Sequence, residues 1–121
     1  MTKFKAPGIN NTFKNARKGF QLVLKSELNI RIHFFVTFCV LIAAYFLKFS
    51  YLEFCALLFA IAIVIVSEML NTAIEFALDS IYHNRYSKMV GMAKDISAGA
   101  VLFASLISAI IGIILFGKHL F

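Results

Sequence analysis

Apolar residues in this chain are collected into three long runs, and polar residues lie mainly between them. The runs cover about 32–47, 51–67 and 96–116. Because a helix needs roughly 20 apolar residues to cross a bilayer core, the third run is long enough alone and the first two need their flanking residues. Pro7 is the only proline, and a chain in lipid must satisfy its backbone groups internally. The pattern predicts helices at about 30–48, 50–79 and 94–117, each with a transmembrane portion.

The second run continues into a helix that has one polar stripe. Glu68, Asn71, Glu75 and Asp79 are spaced 3, 4 and 4 residues apart. With about 3.6 residues per turn, this spacing puts all four side chains on one helical face. A carboxylate at the end of a membrane-length apolar run is costly to keep. We therefore interpret these four residues, called the α3 stripe below, as a functional site.

The segment at about 10–26 has a different pattern, with two opposed faces. Lysines and one glutamine share one face of the predicted helix, and apolar residues share the opposite face: Lys14, Lys18, Gln21 and Lys25 against Phe13, Ala16, Phe20, Val23 and Leu24. This pattern is typical of an amphipathic helix on a membrane surface, with its lysines towards anionic headgroups. The alternative is a soluble helix packed on a partner.

Composition agrees with a membrane protein. The chain is 61% hydrophobic and 15% charged, whereas a soluble domain is about half apolar and a quarter charged. Its 12 Lys and Arg exceed its 6 Asp and Glu, but they flank the apolar runs and form no basic patch of a soluble module. We therefore expect a membrane partner and no nucleic-acid partner.

The positions of the basic residues predict an orientation. Residues 1–31 contain seven Lys or Arg, and the connection between the second and third spans contains three. The hairpin between the first two spans contains only Lys48, and the C-terminal segment contains only Lys118. Because Lys and Arg accumulate in cytoplasmic segments, we expect a cytoplasmic N-terminus and an external C-terminus. The α3 stripe then lies on the cytoplasmic side, where ATP and magnesium are found.

Apart from Glu53, the acidic residues fall at or near this cytoplasmic boundary. Two carboxylates that converge from different helices suit a hard cation such as Mg²⁺, and Glu27 and Glu75 are placed to converge. Glu68 lies closer to the bilayer, where it is suited to accept a proton from a lipid hydroxyl. An alternative stays open, because polar residues in membrane helices often serve only as hydrogen-bond partners between helices.

The start of the third span offers a candidate anion site. Gly91, Lys94 and Asp95 open this helix. Lys94 is a cation available to a polyphosphate, and the free amides of a helix start also favour anions. The alternative for Lys94 is an ordinary anchor at the membrane interface. No Walker A loop and no protein-kinase glycine loop occurs in the sequence, so any use of ATP depends on a different arrangement.

The histidines receive smaller roles. His33 lies two residues beyond Arg31 at a membrane boundary, and we interpret it as a hydrogen-bonded interface residue. His83 and His119 are expected to be exposed residues of a loop and of the C-terminal tail.

These motifs resemble a known family, the small bacterial integral-membrane lipid kinases, which comprise prokaryotic diacylglycerol kinase and undecaprenol kinase. The resemblance covers nearly the whole chain after about residue 12. It rests on Glu-Leu-Asn-Ile-Arg-Ile-His at 27–33, on Glu-Met-Leu-Asn-Thr-Ala-Ile-Glu at 68–75 with Asp79, and on Ala-Lys-Asp at 93–95 with Ser-Ala-Gly-Ala-Val-Leu at 97–102. The string at 68–75 is highly specific.

The resemblance implies an all-α membrane enzyme that phosphorylates a lipid alcohol, with ATP as co-substrate and Mg²⁺ as cofactor. It also implies a homotrimer with sites between subunits, in the bacterial cytoplasmic (inner) membrane. Glu68 corresponds to the general base, and Glu27 and Glu75 correspond to the metal-linked carboxylates. Three further residues correspond to the nucleotide and phosphate region: Asn71, Lys94 and Asp95.

The substrate and the class of function leave alternatives. The string at 27–33 and the lack of Trp are closer to the undecaprenol kinase type than to the Trp-bearing diacylglycerol kinase of enteric bacteria. The alternative function is a non-enzymatic membrane adaptor or a small transporter subunit. A transporter is expected to place polar residues at mid-bilayer between broken helices, whereas these lie at one end of unbroken ones. We expect a single domain over 1–121.

Overall fold

The computed structural model describes residues 8–83, 85 and 87–121. Within these ranges every regular element is a helix: α1 (Ile9–Ser26), α2 (Leu28–Phe46), α3 (Tyr51–Tyr82) and α4 (Lys88–Leu120). Helices α2, α3 and α4 are each long and apolar enough to cross a membrane. The predicted all-α class with three candidate spans is therefore confirmed. Lys3 and Lys5, which enter the charge count, lie outside the described residues.

A short hairpin joins α2 to α3. Lys48 adopts a left-handed conformation with φ 61°, and the N–H of Phe49 donates to the carbonyl of Ala44 at 3.1 Å. Ser50 then caps α3, because its hydroxyl accepts from the N–H of Glu53 at 3.2 Å while Glu53 Oε1 accepts from the N–H of Ser50 at 2.9 Å. This reciprocal pair satisfies two backbone donors that a helix start leaves free. The turn can therefore be short.

Helices α3 and α4 are both longer than the apolar runs predict. Helix α3 continues to Tyr82, and α4 begins at Lys88 rather than near 94. The Ser87 hydroxyl accepts from the N–H of Val90 at 3.2 Å, which stabilises this early start. Most of the polar connection between the second and third spans is therefore helical, since polar side chains are compatible with a helix wherever its ends are capped.

Glu27 separates α1 from α2. Its backbone is extended, with φ −121° and ψ 111°, and it is at once the C-cap of α1 and the N-cap of α2. Near this junction Val23 is the only buried residue of α1, and Ile30 of α2 is fully buried. The chain therefore changes direction at a carboxylate that borders a small apolar contact.

The interior is small, and most large apolar side chains are exposed. A buried cluster of Ala44, Phe49 and Leu57 lies at the hairpin, where Leu115 and Phe116 of α4 pack against it. Along the rest of the molecule α4 packs mainly against α3. Exposed side chains on α2, α3 and α4 include Phe35, Phe59 and Ile113. Such surfaces are stable against lipid or another protein chain, and not against water.

Candidate active site

The α3 stripe begins with a contact between α2 and α3. His33 Nε2 lies 3.3 Å from Glu68 Oε1, and the two side chains are 34% and 13% exposed. An imidazole Nε2–H can donate to a carboxylate, and a protonated imidazole forms an ion pair with it. His33, which we interpreted as an interface residue, therefore contacts Glu68, the predicted base. Among the described residues, no other side chain forms a hydrogen bond or ion pair with Glu68.

The next contact connects the stripe within α3 and across to α4. Asn71 Nδ2 donates to Glu75 Oε1 at 3.3 Å, one helical turn away. The hydroxyl of Ser97, a buried residue of α4, donates to Asn71 Oδ1. Because these two bonds use both ends of the amide, they fix which atom of Asn71 is donor and which is acceptor. The amide orients the Glu75 carboxylate.

The last residue of the stripe makes an ion pair with α4. Lys94 Nζ donates to Asp79 Oδ1 at 2.7 Å. The two side chains are 38% and 40% exposed, so solvent screens the attraction and the pair contributes little to stability. A half-exposed ammonium held by a single carboxylate oxygen keeps hydrogen atoms free for another anion.

These two residues line a groove beside the turn between α3 and α4. The groove has a volume of about 300 Å³. Its lining combines two acids, two cations and a glycine with two apolar residues: Asp79, Asp95, Arg85, Lys94, Gly91, Leu78 and Val90. We call it the polar groove. Lys94 and Asp95, which the sequence analysis places together, therefore share one recess with Asp79.

The carboxylate of Glu27 stands apart from these contacts. Its side chain is half-buried and makes no capping hydrogen bond with α2, so its oxygens are not used by its own helix. Within the described ranges, no group of three or more His, Cys, Asp and Glu side chains is arranged to hold a metal ion. The pairing of Glu27 with Glu75 at one cation stays a prediction.

A second, apolar groove of about 520 Å³ runs between α2, α3 and α4. His33 lines it together with Thr37, and most of the remaining lining is aliphatic, including Leu57, Val64 and Ile113. We call it the apolar groove. The His33–Glu68 pair therefore lies where a polar contact meets an apolar recess.

A cluster at the opposite end of α3 was not predicted. Glu53 Oε2 lies 2.7 Å from His119 Nε2 and 3.5 Å from Lys118 Nζ, and the His119 ring stacks on Phe49 with centroids 4.6 Å apart. The expectation that His119 is an exposed tail residue is wrong, since its side chain is only 19% exposed. The cause is that α4 continues to Leu120 and returns the tail to the hairpin. His83 is exposed, as expected.

The sequence analysis did not predict that two further residues, Ser97 and Arg85, belong to the site. Ser97 lies within a string quoted for the family resemblance, but its bond to Asn71 depends on how α3 and α4 pack. Arg85 belongs to the connection to which no role was assigned. Spacing along one helix carried no signal for either residue, because each contributes through a neighbouring element.

The chain is similar in sequence to known lipid kinases. The family described as prokaryotic diacylglycerol kinase matches residues 14–116. A protein of Synechocystis sp. named diacylglycerol kinase is 33% identical over 107 residues, which are 88% of this chain and 61% of that protein. A protein of Bacillus subtilis named undecaprenol kinase is 32% identical over 105 residues, 87% of this chain and 85% of that protein. These names indicate lipid kinases, that is, phosphotransferases with an alcohol group as acceptor.

Proposed function

This chain belongs to the prokaryotic diacylglycerol kinase family, and from that premise we propose that it transfers the γ-phosphoryl group of ATP to the hydroxyl of a membrane lipid alcohol. The observation that carries the proposal is the α3 stripe. Each of its four residues contacts a polar side chain, and the partners come from α2, α3 and α4. Carboxylates and an amide thus lie along one face of α3, and a lysine of α4 lies beside them, although both helices are otherwise largely apolar.

Glu68 acts as the general base in this proposal. Its carboxylate is mostly covered and has one side-chain partner within the described ranges. In the described part of the chain, every fully buried side-chain oxygen has a hydrogen-bond partner. The Glu68 oxygen that His33 does not contact has no partner there, so it is not fully buried and a substrate can reach it. A lipid hydroxyl that enters from the apolar groove meets this oxygen, gives up its proton to it, and attacks the γ-phosphorus.

The polar groove receives the phosphate end of ATP. Its ammonium at Lys94 is a charge-assisted donor for phosphate oxygens, and Asp95 and Asn71 complete the nucleotide region. Phosphoryl transfer requires mainly positioning and charge neutralisation. A preformed cation between α3 and α4 supports both.

Glu75 and Glu27 would hold the Mg²⁺ that accompanies ATP. Both carboxylates offer hard oxygen ligands, Glu75 is oriented by Asn71, and Glu27 makes no capping bond. These properties fit the ion. When bound, Mg²⁺ neutralises charge on the phosphate oxygens.

The protein sits in the bacterial cytoplasmic membrane with its N-terminus inside and its C-terminus outside. Helix α1 lies on the inner surface, since Phe13 and Phe20 are exposed on one side of it and lysines occupy the other. Three thin helices do not enclose a lipid and a nucleotide, so we propose a homotrimer in which subunits complete each other's sites. The many exposed apolar side chains support burial against lipid and neighbouring subunits.

The lipid alcohol is undecaprenol or diacylglycerol, and the string at 27–33 favours undecaprenol. The two relatives carry one of these names each. Either substrate offers a hydroxyl attached to a long apolar body, which suits an apolar groove whose His33 contacts Glu68.

The alternative function is a membrane adaptor or transporter subunit in which the α3 stripe only holds helices together. The contacts of Asn71 with Ser97 and of Asp79 with Lys94 do join α3 to α4. The remaining hydrogen-bonding capacity of the half-exposed Lys94 ammonium and the polar groove beside it are not needed for that purpose, and family membership favours the kinase.

A single substitution tests the proposal. The protein with Glu68→Gln is purified in mixed micelles and given ATP labelled at the γ-phosphate, and labelled lipid is counted. Because a general base contributes about 100- to 10,000-fold, we expect turnover to fall by that range while nucleotide binding and folding persist. Glu53→Gln, the same change about 22 Å away along α3, is the matched control and keeps its turnover. Wild-type turnover in the Glu68 variant would refute the base assignment.

A further inference from the structure

His33 is the only polar side chain of α2 in the apolar groove that reaches across to α3. The other polar residue that α2 contributes to the lining, Thr37, donates its hydroxyl back to the carbonyl of His33 at 2.7 Å. Thr37 is thus satisfied within its own helix, whereas the His33 imidazole faces Glu68. An aliphatic side chain would fill this apolar position equally well. The contact with the Glu68 carboxylate therefore explains why a polar residue occupies position 33.

A base in this position needs an orienting partner. A glutamate has three side-chain torsions, and a proton transfer requires the accepting oxygen within hydrogen-bond reach of the substrate hydroxyl. At the other end of α3, Glu53 is fixed by the Ser50 N–H, by His119 and by Lys118. Among the described residues, Glu68 has His33 alone.

We propose that His33 is a positioning residue for phosphoryl transfer. Its Nε2–H donates to Glu68 Oε1 and so points the second carboxylate oxygen towards the lipid hydroxyl. The hydroxyl proton passes to that second oxygen, the hydroxyl oxygen forms the bond to the γ-phosphorus, and ADP leaves with the bond electrons. His33 exchanges no proton in this step. The inference rests on the proposed function of Glu68.

Two substitutions of similar length separate donation from packing. His33→Met fills the position without a donor, and His33→Gln retains an N–H donor; His33→Ala supplies a second donor-free variant. Since misplacement of a reacting group by about 1 Å costs up to about 100-fold, we expect His33→Met and His33→Ala to lower kcat by about 10- to 100-fold. The KM for MgATP should stay within about twofold, and His33→Gln should recover most of the kcat.

His119→Gln is the matched control, because it removes the other histidine–glutamate contact at the opposite end of α3. Its kcat should equal that of the wild type. Unchanged kcat in both donor-free His33 variants would overturn the proposal, and so would a His33→Gln variant as impaired as His33→Met. A loss confined to the KM for lipid would also overturn it, since that result indicates substrate binding and not orientation of the base.

A double variant distinguishes failure of the positioning role from failure of the base assignment. On a Glu68→Gln background, His33→Met should cause no further loss of residual turnover, because a positioning residue acts only through the group that it orients. A further multiplicative loss would contradict the proposal. If Glu68→Gln itself keeps wild-type turnover, the proposed function of Glu68 fails. If Glu68→Gln is inactive while His33→Met and His33→Ala are fully active, only the positioning role fails.

Discussion

Two glutamates on α3 differ in their surroundings, and the difference matches the structural role of Glu53 and the chemical role that we propose for Glu68. Glu53 and Glu68 are almost equally covered, with side chains 12% and 13% exposed. Glu53 accepts from a backbone N–H and lies within 4 Å of two cationic or polar side chains, Lys118 and His119. Both of its oxygens are therefore in use. Among the described residues Glu68 has one partner and a second oxygen without one, which is the state expected of a group that must receive a proton.

Glu75 gives a prediction at the same scale. Replacing it with Ala removes the carboxylate that Asn71 orients. If this carboxylate holds Mg²⁺, the half-saturating magnesium concentration should rise by about tenfold or more, while saturating magnesium restores much of the activity. The measurement is a magnesium titration of lipid phosphorylation at fixed ATP. Glu53→Gln serves as the control and should titrate like the wild type; an unshifted curve for Glu75→Ala would show that this carboxylate does not hold the ion.

At the scale of elements, α3 and α4 are joined by polar contacts spread along their length. Besides the Ser97–Asn71 and Lys94–Asp79 contacts, the Ser108 hydroxyl donates to the carbonyl of Ala60 at 2.7 Å. Such bonds fix the register of two apolar helices, for which lipid offers little other directional attraction. The register in turn determines that Lys94 faces Asp79 across the polar groove.

Two lysines of α4 test whether this register places Lys94 to bind ATP. Both pair with a carboxylate of α3, Lys94 with Asp79 and Lys118 with Glu53. Because only Lys94 lines the polar groove, Lys94→Met should raise the KM for ATP by about tenfold or more, which is the loss of one charge-assisted contact. Lys118→Met should leave that KM unchanged. The measurement is steady-state kinetics with ATP varied; equal effects of the two substitutions would exclude a phosphate role for Lys94.

The sequence predicts the helices more completely than the contacts between them. The long apolar runs predict α2, α3 and α4, because apolar length is itself the physical requirement for crossing a bilayer. The early start of α4 at Lys88 was missed, since it depends on the local cap by Ser87. The spacing of the α3 stripe predicted a shared face, but neither Ser97 nor His33 could be assigned as its partner. Partners on other helices depend on interhelical packing, which spacing along one helix does not encode.

At the scale of the whole molecule, polar contacts lie towards both ends of the long helices, and the surface between them is apolar with little interior. Exposed side chains such as Phe59, 80% exposed, and Ile113, 72% exposed, surround the three long helices. The polar groove and the His33 end of the apolar groove lie towards the end that we propose faces the cytoplasm. In the proposed function, a lipid reaches Glu68 from the bilayer and ATP reaches Lys94 from water.

The central claim, lipid phosphorylation by this chain, is tested most directly by transfer of label to lipid. The wild-type protein in mixed micelles is given γ-labelled ATP and magnesium, with undecaprenol or diacylglycerol offered separately, and the labelled lipid is resolved by chromatography. The account predicts a labelled monophosphate of at least one of the two lipids, in an amount that increases with enzyme and disappears when the lipid is omitted. Absence of labelled lipid from both substrates, with the protein folded and in the membrane-mimetic micelle, would contradict the kinase and favour the adaptor.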